Sequence, residues 1–356
     1  MIIILSHLAC FIFPLTSFGL LITGPHTILA ALAWTIPFWI VLLLDWKGPK
    51  FKPESLEPIV DDDTSHRLYH WLMFILALLQ FVNIGLLFVY VSQMTWDSTS
   101  AVLTGVINLL VLRFLLGVSS STAGVVAHEL LHRPQVWLQS LGRLLLCTLC
   151  FEHFTITHLR GHHAEPNSSD DIAGARLGES FQHYWQRVAP GHLRYVWQSE
   201  LERLHINGLD WKNLRILKHQ MLHGALIELA IVILGGYWFG WLAAVVFLYQ
   251  ALAAVRIIEA VNYIQHWGLQ EGDFGNSYGW VCDSWITKYC FISLSHHIGH
   301  HRDGSVPFYE IPYSNQGPLM PYGYFVMNLW AKLDNVSYQQ MALQQLEQFR
   351  LQQASN

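Results

Sequence analysis

Residues 101–132 read AVLTGVINLLVLRFLLGVSSSTAGVVAHELLH. Between 101 and 126 the only charge is Arg113, and then His128, Glu129 and His132 follow within little more than one turn. A run of that length and apolarity reads as a transmembrane helix. Its end carries imidazoles at i and i+4, which share one helix face. This stretch therefore sets a histidine pair at the edge of a membrane.

Residues 2–22, 27–45, 71–92, 224–238 and 241–263 have the same apolar character. Residues 2–22 lack a basic segment before them and a small-residue cleavage site after them, so they read as a retained span. Gly235-Gly236 is expected to turn the chain between the fifth and sixth spans; a single hairpin that dips and returns is the alternative. Lys47, Lys50, Lys52 and Arg67 lie between spans two and three, and ten more basic residues, Arg133 through Lys218, lie between spans four and five. Lys288, Arg302, Lys332 and Arg350 follow span six, while the other three connections have none. The positive-inside rule then puts both termini and both long loops in the cytoplasm. The expected fold is all-α: one integral membrane domain over 1–356, with six transmembrane helices. A cytoplasmic helical cap, 127–223 and 264–356, carries the histidines.

Composition agrees. Of 356 residues 53% are hydrophobic and 13% charged, about half the charge of a soluble domain, and mean hydropathy is +0.31. A net charge of −5 argues against a nucleic-acid partner. Five scattered cysteines make no disulfide framework, and the lone C-x-x-C, Cys147 to Cys150, reads as buried packing. The cluster Asp61-Asp62-Asp63 reads as a solvated loop. Arg113 and Arg256 sit inside spans and are expected to pair with Glu228 or Glu259.

Histidine is the residue that stands out, with twenty in the chain. His128 and His132 recur as a pattern in His158-Leu-Arg-Gly-His162-His163, in His266 just past span six, and in His297-Ile-Gly-His300-His301. On helices His158 and His162 share a face, as do His297 and His301. All four clusters fall at or beyond span ends on the same expected side. Nine imidazoles exceed what one ion can take, so two metal ions are expected, with open positions for oxygen. Iron suits this set because it can reduce dioxygen and oxidise an unactivated C–H bond, chemistry no side chain performs. The pattern His128-Glu129-Leu-Leu-His132 also matches the H-E-x-x-H of zinc metalloproteases, with Glu129 as base. An intramembrane protease would leave most of the other histidines unused. A non-catalytic metal-binding membrane protein is a further alternative.

These residues resemble the membrane alkane 1-monooxygenases, within the wider membrane fatty acid desaturase and hydroxylase superfamily. The resemblance runs from Leu44-Asp45-Trp46 to Pro321-Tyr322-Gly323-Tyr324. His128 to Arg133, His158 to His163 and His297 to His301 look like the three histidine boxes, and Arg176 to Phe181 resembles the stretch after the second. Asn262 to Leu269 resembles the extra motif N-Y-x-E-H-Y-G-L, which desaturases lack. The resemblance implies nine iron ligands: His128, His132, His158, His162, His163, His266, His297, His300 and His301. It implies two non-haem irons, O2, a hydrophobic substrate from the membrane lipid phase, and terminal hydroxylation of an alkane or alkyl side chain to a primary alcohol. It also implies electrons from a separate rubredoxin or ferredoxin and a site facing the cytoplasm of a bacterial inner membrane. Acyl-lipid desaturation or hydroxylation is the alternative within the superfamily.

The chain departs from the family pattern beside its ligands. Thr157 and Gln265 stand where the family has Glu, His296 for Arg, Gly299 for Asp, and Trp267 for Tyr. Glu129 is retained as the candidate catalytic carboxylate. Glu152, Asn262 and Gln265 are expected to orient ligands, while His153, Asp170 and Asp171 read as surface or packing residues. Phe114, Val118 and Val125 are expected to line a substrate channel on the His128 face of span four.

Overall fold

The computed structural model describes residues 2–51, 63–164, 166–168, 171–206, 213–269 and 279–354. Lys52, Asp61, Asp62 and Asp170 lie outside these. Among the described residues six helices are long and apolar enough to cross a membrane: α1 (Leu5–Ile22), α2 (Ile28–Lys47), α3 (His66–Ser92), α4 (Thr99–Leu131), then, after α5 (Val136–Cys147) and α6 (Phe181–Arg203), α7 (Gln220–Phe239) and α8 (Trp241–His266). Short α9 (Trp285–Cys290) and α10 (His297–Arg302) follow, then α11 (Tyr324–Leu333) and α12 (Asn335–Ala354). All regular elements among the described residues are helical. The chain is a multi-pass integral membrane protein, with the all-helical architecture its hydropathy predicts.

The spans exceed the apolar runs at their histidine ends. Ser98 caps α4 by accepting from the Ala101 amide at 3.1 Å, and the helix continues unbroken to Leu131, so His128 stays on it. The turn expected at Gly235-Gly236 is not there. α7 runs through both glycines, and the break falls at Gly240, whose φ of +91° suits glycine. Gly235 is instead a packing residue, because a Cβ there would strike the Phe88 ring. At Gly236 a Cβ would meet only Ala244, at 3.4 Å.

α4 and α8 pack along each other at the centre of the bundle. A Cβ on Gly117 would sit 2.9 Å from that of Ala253, so the glycine permits the close approach. Polar side chains in the span region satisfy one another, as a hydrocarbon setting requires. Gln80 donates to Ser120 at 3.1 Å and to Thr148 at 2.9 Å; Ser120 donates to Gln250 at 2.9 Å; and Gln250 donates to the Thr148 carbonyl at 3.2 Å. This network ties α3, α4 and α8 to the chain after α5. Buried Asp45 does similar work for the cap. It accepts from Ser284 and Thr287, each at 2.6 Å, and from the Val326 amide at 3.0 Å.

Two other expectations are settled here. All five cysteines are free, and Cys147 is buried while Cys150 sits at φ +51° in the following turn. The intramembrane arginines do not pair with Glu228 or Glu259. Arg113 lies over the Tyr249 ring and Arg256 over Trp185 and Phe181. Glu228 accepts from the Glu152 amide, and Glu259 is held by Tyr184 and His192. Those carboxylates had closer donors.

The contrast between the adjacent glycines is testable. Gly235→Val is expected to lower stability by about 1–3 kcal/mol through overpacking, read as a lower thermal midpoint in detergent. Gly236→Val is expected to change it far less; equal effects would contradict the packing of Gly235 against Phe88.

Candidate metal centre

Four separate segments deliver imidazoles to one place. α4 ends with His128 and His132, α8 ends with His266, and α10 carries His297, His300 and His301. The fourth segment, Thr157–His162, is wound as a π-turn, with the His163 amide bonding the His158 carbonyl at 3.0 Å. That i→i+5 winding changes the pairing expected for an α-helix. His158 and His163 now share a face, and His162 points elsewhere.

The nine histidines fall into two groups. His128, His132, His158, His163 and His300 form one, and His162, His266, His297 and His301 the other; within each, the possible ligand nitrogens lie within 4.8 Å of one another. The groups adjoin: the His163 and His301 rings stack at 4.6 Å. His132, His163 and His301 keep partial exposure, and the other six are buried.

The nitrogens aim at one another in a way that fits a cation. In the first group Nε2 of His132 faces that of His158, and His163 that of His300, each at 3.1 Å. In the second, Nε2 contacts run from His162 to His301 at 3.2 Å, to His297 at 2.9 Å and to His266 at 2.8 Å. Two imidazoles bound at about 2.1 Å to one ion stand about 3.0–3.4 Å apart. Hydrogen bonding alone cannot satisfy the second group. His162 Nδ1 faces the Asp171 carboxylate at 2.9 Å and His266 Nδ1 faces Asn167 Oδ1 at 2.9 Å. In the neutral form both rings then donate from Nδ1 and present a lone pair at Nε2. Three contacts would need three N–H donors, and only His297 and His301 remain to supply one each. In the first group the buried His128 Nε2 has no hydrogen-bond partner at all.

Burial also favours the neutral form of six of these rings. Desolvation, then neighbouring imidazoles, pushes His158, His297, His300 and His301 well below the ordinary histidine range. His132 falls to about 4 through burial and then Arg133, and His163 to about 2 through burial and then His132. Neutral imidazole is the ligand form.

The acids beside the ligands are not where sequence adjacency suggested. Glu129 accepts from Arg133 at 3.1 Å and from the Phe308 amide at 3.1 Å. Arg133 in turn donates to the carbonyls of Ser305 and Val306. Glu129 therefore clamps the segment after α10 to α4, and none of its hydrogen-bond or ion-pair partners is one of the nine. The H-E-x-x-H reading loses its base. Glu152 is held by Arg143 at 2.5 Å, and Gln265 donates to Tyr324 at 2.5 Å and to the Leu294 carbonyl. Asn262 donates to Glu259 at 3.4 Å. His153 lies against Phe151, away from both groups.

Asp171 does the orienting instead. It is buried, accepts from His162 and from the amides of Asn167 and Ala173, and titrates near 2: burial would raise it, but His162 outweighs that. Asn167 was missed. It sits at φ +63°, a conformation asparagine tolerates, which lets its amide reach Asp171 while its side chain reaches His266. The available signal was Asn167 followed four residues later by an acid, just after the second box.

The family departures are locally accommodated. A Cβ at Gly299 would strike the Pro312 carbonyl, so no aspartate fits. His296 donates from Nδ1 to the Ile311 carbonyl at 3.0 Å, and Trp267 donates to the Glu179 carbonyl at 3.0 Å. Thr157 donates to the Phe154 carbonyl at 3.1 Å.

An apolar hollow touches both groups. Val125, Ile257 and Phe291 wall it together with His128, His158 and His297, and Asn262 and Gln265 border it. Phe114 and Val118 line a larger cavity further along α4.

Residues 104–328, more than half of the chain, match the fatty acid desaturase family. Among individual proteins, alkane 1-monooxygenase 1 of Pseudomonas aeruginosa is 31% identical over 211 residues, 56% of this chain and 54% of that one. The alkane 1-monooxygenase of Acinetobacter baylyi is 26% identical over 257 residues, 69% and 62% of the two chains. The xylene/toluene monooxygenase hydroxylase component of Pseudomonas putida is 27% identical over 200 residues, 55% and 53%. The chain spans between about half and three-fifths of the length of these relatives.

Glu129→Gln is expected to leave metal content unchanged while lowering stability by roughly 1–3 kcal/mol. Elemental analysis and thermal unfolding of the same preparation check both; loss of metal would place Glu129 at the centre after all.

Proposed function

The chain belongs to the fatty acid desaturase family, and on that premise we propose that it is a di-iron membrane monooxygenase that hydroxylates an alkane or alkyl side chain with O2. The observation that carries the reading is the convergence of nine imidazoles in two adjoining groups. His128, His132, His158, His163 and His300 hold one iron, and His162, His266, His297 and His301 the other. Bound iron supplies reduction of dioxygen and oxidation of an unactivated C–H bond, which side chains alone do not perform.

The chain's own residues do the rest. Asp171 and Asn167 hold the Nδ1 protons of His162 and His266, so the Nε2 lone pairs stay aimed at the ion. Val125, Ile257 and Phe291 exclude water and present an alkyl group beside the imidazoles. Glu129 and Arg133 hold the segment that follows the third box. Electrons come from a separate rubredoxin or ferredoxin. The whole chain is one membrane domain of a bacterial inner membrane, with its histidine end towards the cytoplasm. The similarity to alkane and xylene/toluene monooxygenases supports hydroxylation over desaturation. The family match keeps an acyl-lipid desaturase or hydroxylase as the second reading.

Purified protein given ferrous iron, a reduced donor and a hydrocarbon panel is expected to yield primary alcohols. Alkenes as the sole products would favour the second reading, and zinc with no oxygen uptake would end both. Separately, Asp171→Ala is expected to weaken metal binding roughly 10–100-fold. The loss should be confined to one ion, leaving about half the metal bound in a titration. Unchanged stoichiometry and affinity would mean that Asp171 does not orient a ligand.

A further inference from the structure

Three cations border one cavity. Arg113 from α4, Arg256 from α8 and Lys332 from α11 line a hollow of ≈ 230 Å³ whose other walls are largely apolar, Phe114, Val118 and Phe325 among them. Arg113 and Arg256 stand at similar depth: each lies about 21–22 Å from the start of its helix at 1.5 Å per residue. In a hydrocarbon core of about 30 Å that is close beneath the interface on the histidine side.

Among the described residues, none of the three has an ion-pair or hydrogen-bond partner. Their neighbours are aromatic faces: Tyr249 for Arg113, Trp185 for Arg256 and Phe181 for Lys332. The Arg113 Nε is buried with no acceptor. Burial, then Arg256 and Arg113, pulls Lys332 down to about 7. Elsewhere the chain pairs its partly buried arginines: Arg133 with Glu129, Arg143 with Glu152, Arg160 with Glu200 and Arg187 with Glu179. Here it gathers like charges around an apolar space and supplies no acid, although clustered intramembrane charge is costly. The compensating negative charge comes from a ligand.

The shape says what kind of ligand. Beyond its cationic edge the cavity is apolar, and Ser121, Ile257 and Phe291 wall both it and the tight hollow of ≈ 30 Å³ that reaches Val125, His128 and His297. An anionic head with an apolar tail matches that sequence of surfaces. We propose that Arg113, Arg256 and Lys332 bind the carboxylate of a long-chain fatty-acid-like substrate whose tail runs along α4 towards the nine histidines. His128 lies 15 residues beyond Arg113, about 22 Å along the helix, so the end presented is remote from the carboxyl. The tight hollow must widen by side-chain rotation to admit it. Oxidation of the tail rests on the oxygenase reading above; recognition of the head does not. A bilayer phospholipid offers the same chemistry through its phosphate, and the test separates the two.

The full chain in uncharged detergent is titrated with radiolabelled hexadecanoate and with methyl hexadecanoate. Hexadecanoate is expected to bind at least about ten-fold more tightly, the worth of a charge-assisted hydrogen bond. Arg113→Gln, Arg256→Gln and Lys332→Gln should each remove most of that preference and leave the methyl ester unaffected, while Arg113→Lys retains part of it. Thermal midpoints like the parent's confirm that the variants fold. Phosphatidylglycerol should not displace hexadecanoate. No preference, a preference untouched by all three variants, or displacement by phosphatidylglycerol would overturn the proposal. The parent freed of metal by chelation should bind hexadecanoate normally. If it does and the parent never hydroxylates anything, the oxygenase reading fails and the head-group site stands. If hexadecane is hydroxylated with no preference for hexadecanoate, the reverse holds.

Discussion

Nine imidazoles pointing their nitrogens into two adjoining spaces are the constraint on which the rest of this molecule depends. A buried polar atom without a partner costs about 1–3 kcal/mol. Here the nitrogens are crowded against one another at 2.8–3.2 Å, and one of them, on His128, has no partner at all. Among neutral rings the second group has three contacts and only two available N–H donors. A cation in each space resolves both problems together.

Much of the surrounding fold serves to bring those rings together. The long continuous α4 and α8, locked by Gly117 against Ala253, set His128, His132 and His266 at one end of the bundle. The Asp45 cluster anchors α9 and α11 to α2, which fixes the approach to α10. Glu129 and Arg133 fasten the chain leaving α10, bringing Gly304 so close to His132 that a Cβ would stand 2.8 Å from its Nδ1. The π-turn pairs His158 with His163 and sends His162 to the other group, where an α-helical turn would pair His158 with His162. Backbone winding, more than helix choice, decides which ring serves which space.

Much of this was legible in the sequence. Hydropathy located all six spans because each is a long apolar run, and histidine spacing located all nine converging residues because imidazole is rare in such company. What was not legible depended on direction. Sequence position singled out Glu129, Glu152 and Gln265, yet Glu129 and Glu152 accept from Arg133 and Arg143, and Gln265 donates to Tyr324. Asp171 and Asn167 act through a turn whose shape no periodicity announces. Gly235 and Gly240 look alike as letters; one is a packing contact and the other a positive-φ break. Arg256 had Glu259 three residues on along the chain, but Tyr184 and His192 had already engaged it.

The most direct test of the central claim is X-ray absorption at the iron edge on protein loaded with ferrous iron and freed of excess metal. The account predicts two irons per chain, with imidazole nitrogens at about 2.1 Å dominating the nearest shell. A single ion per chain, or a nearest shell of sulfur or mainly carboxylate oxygen, would contradict it.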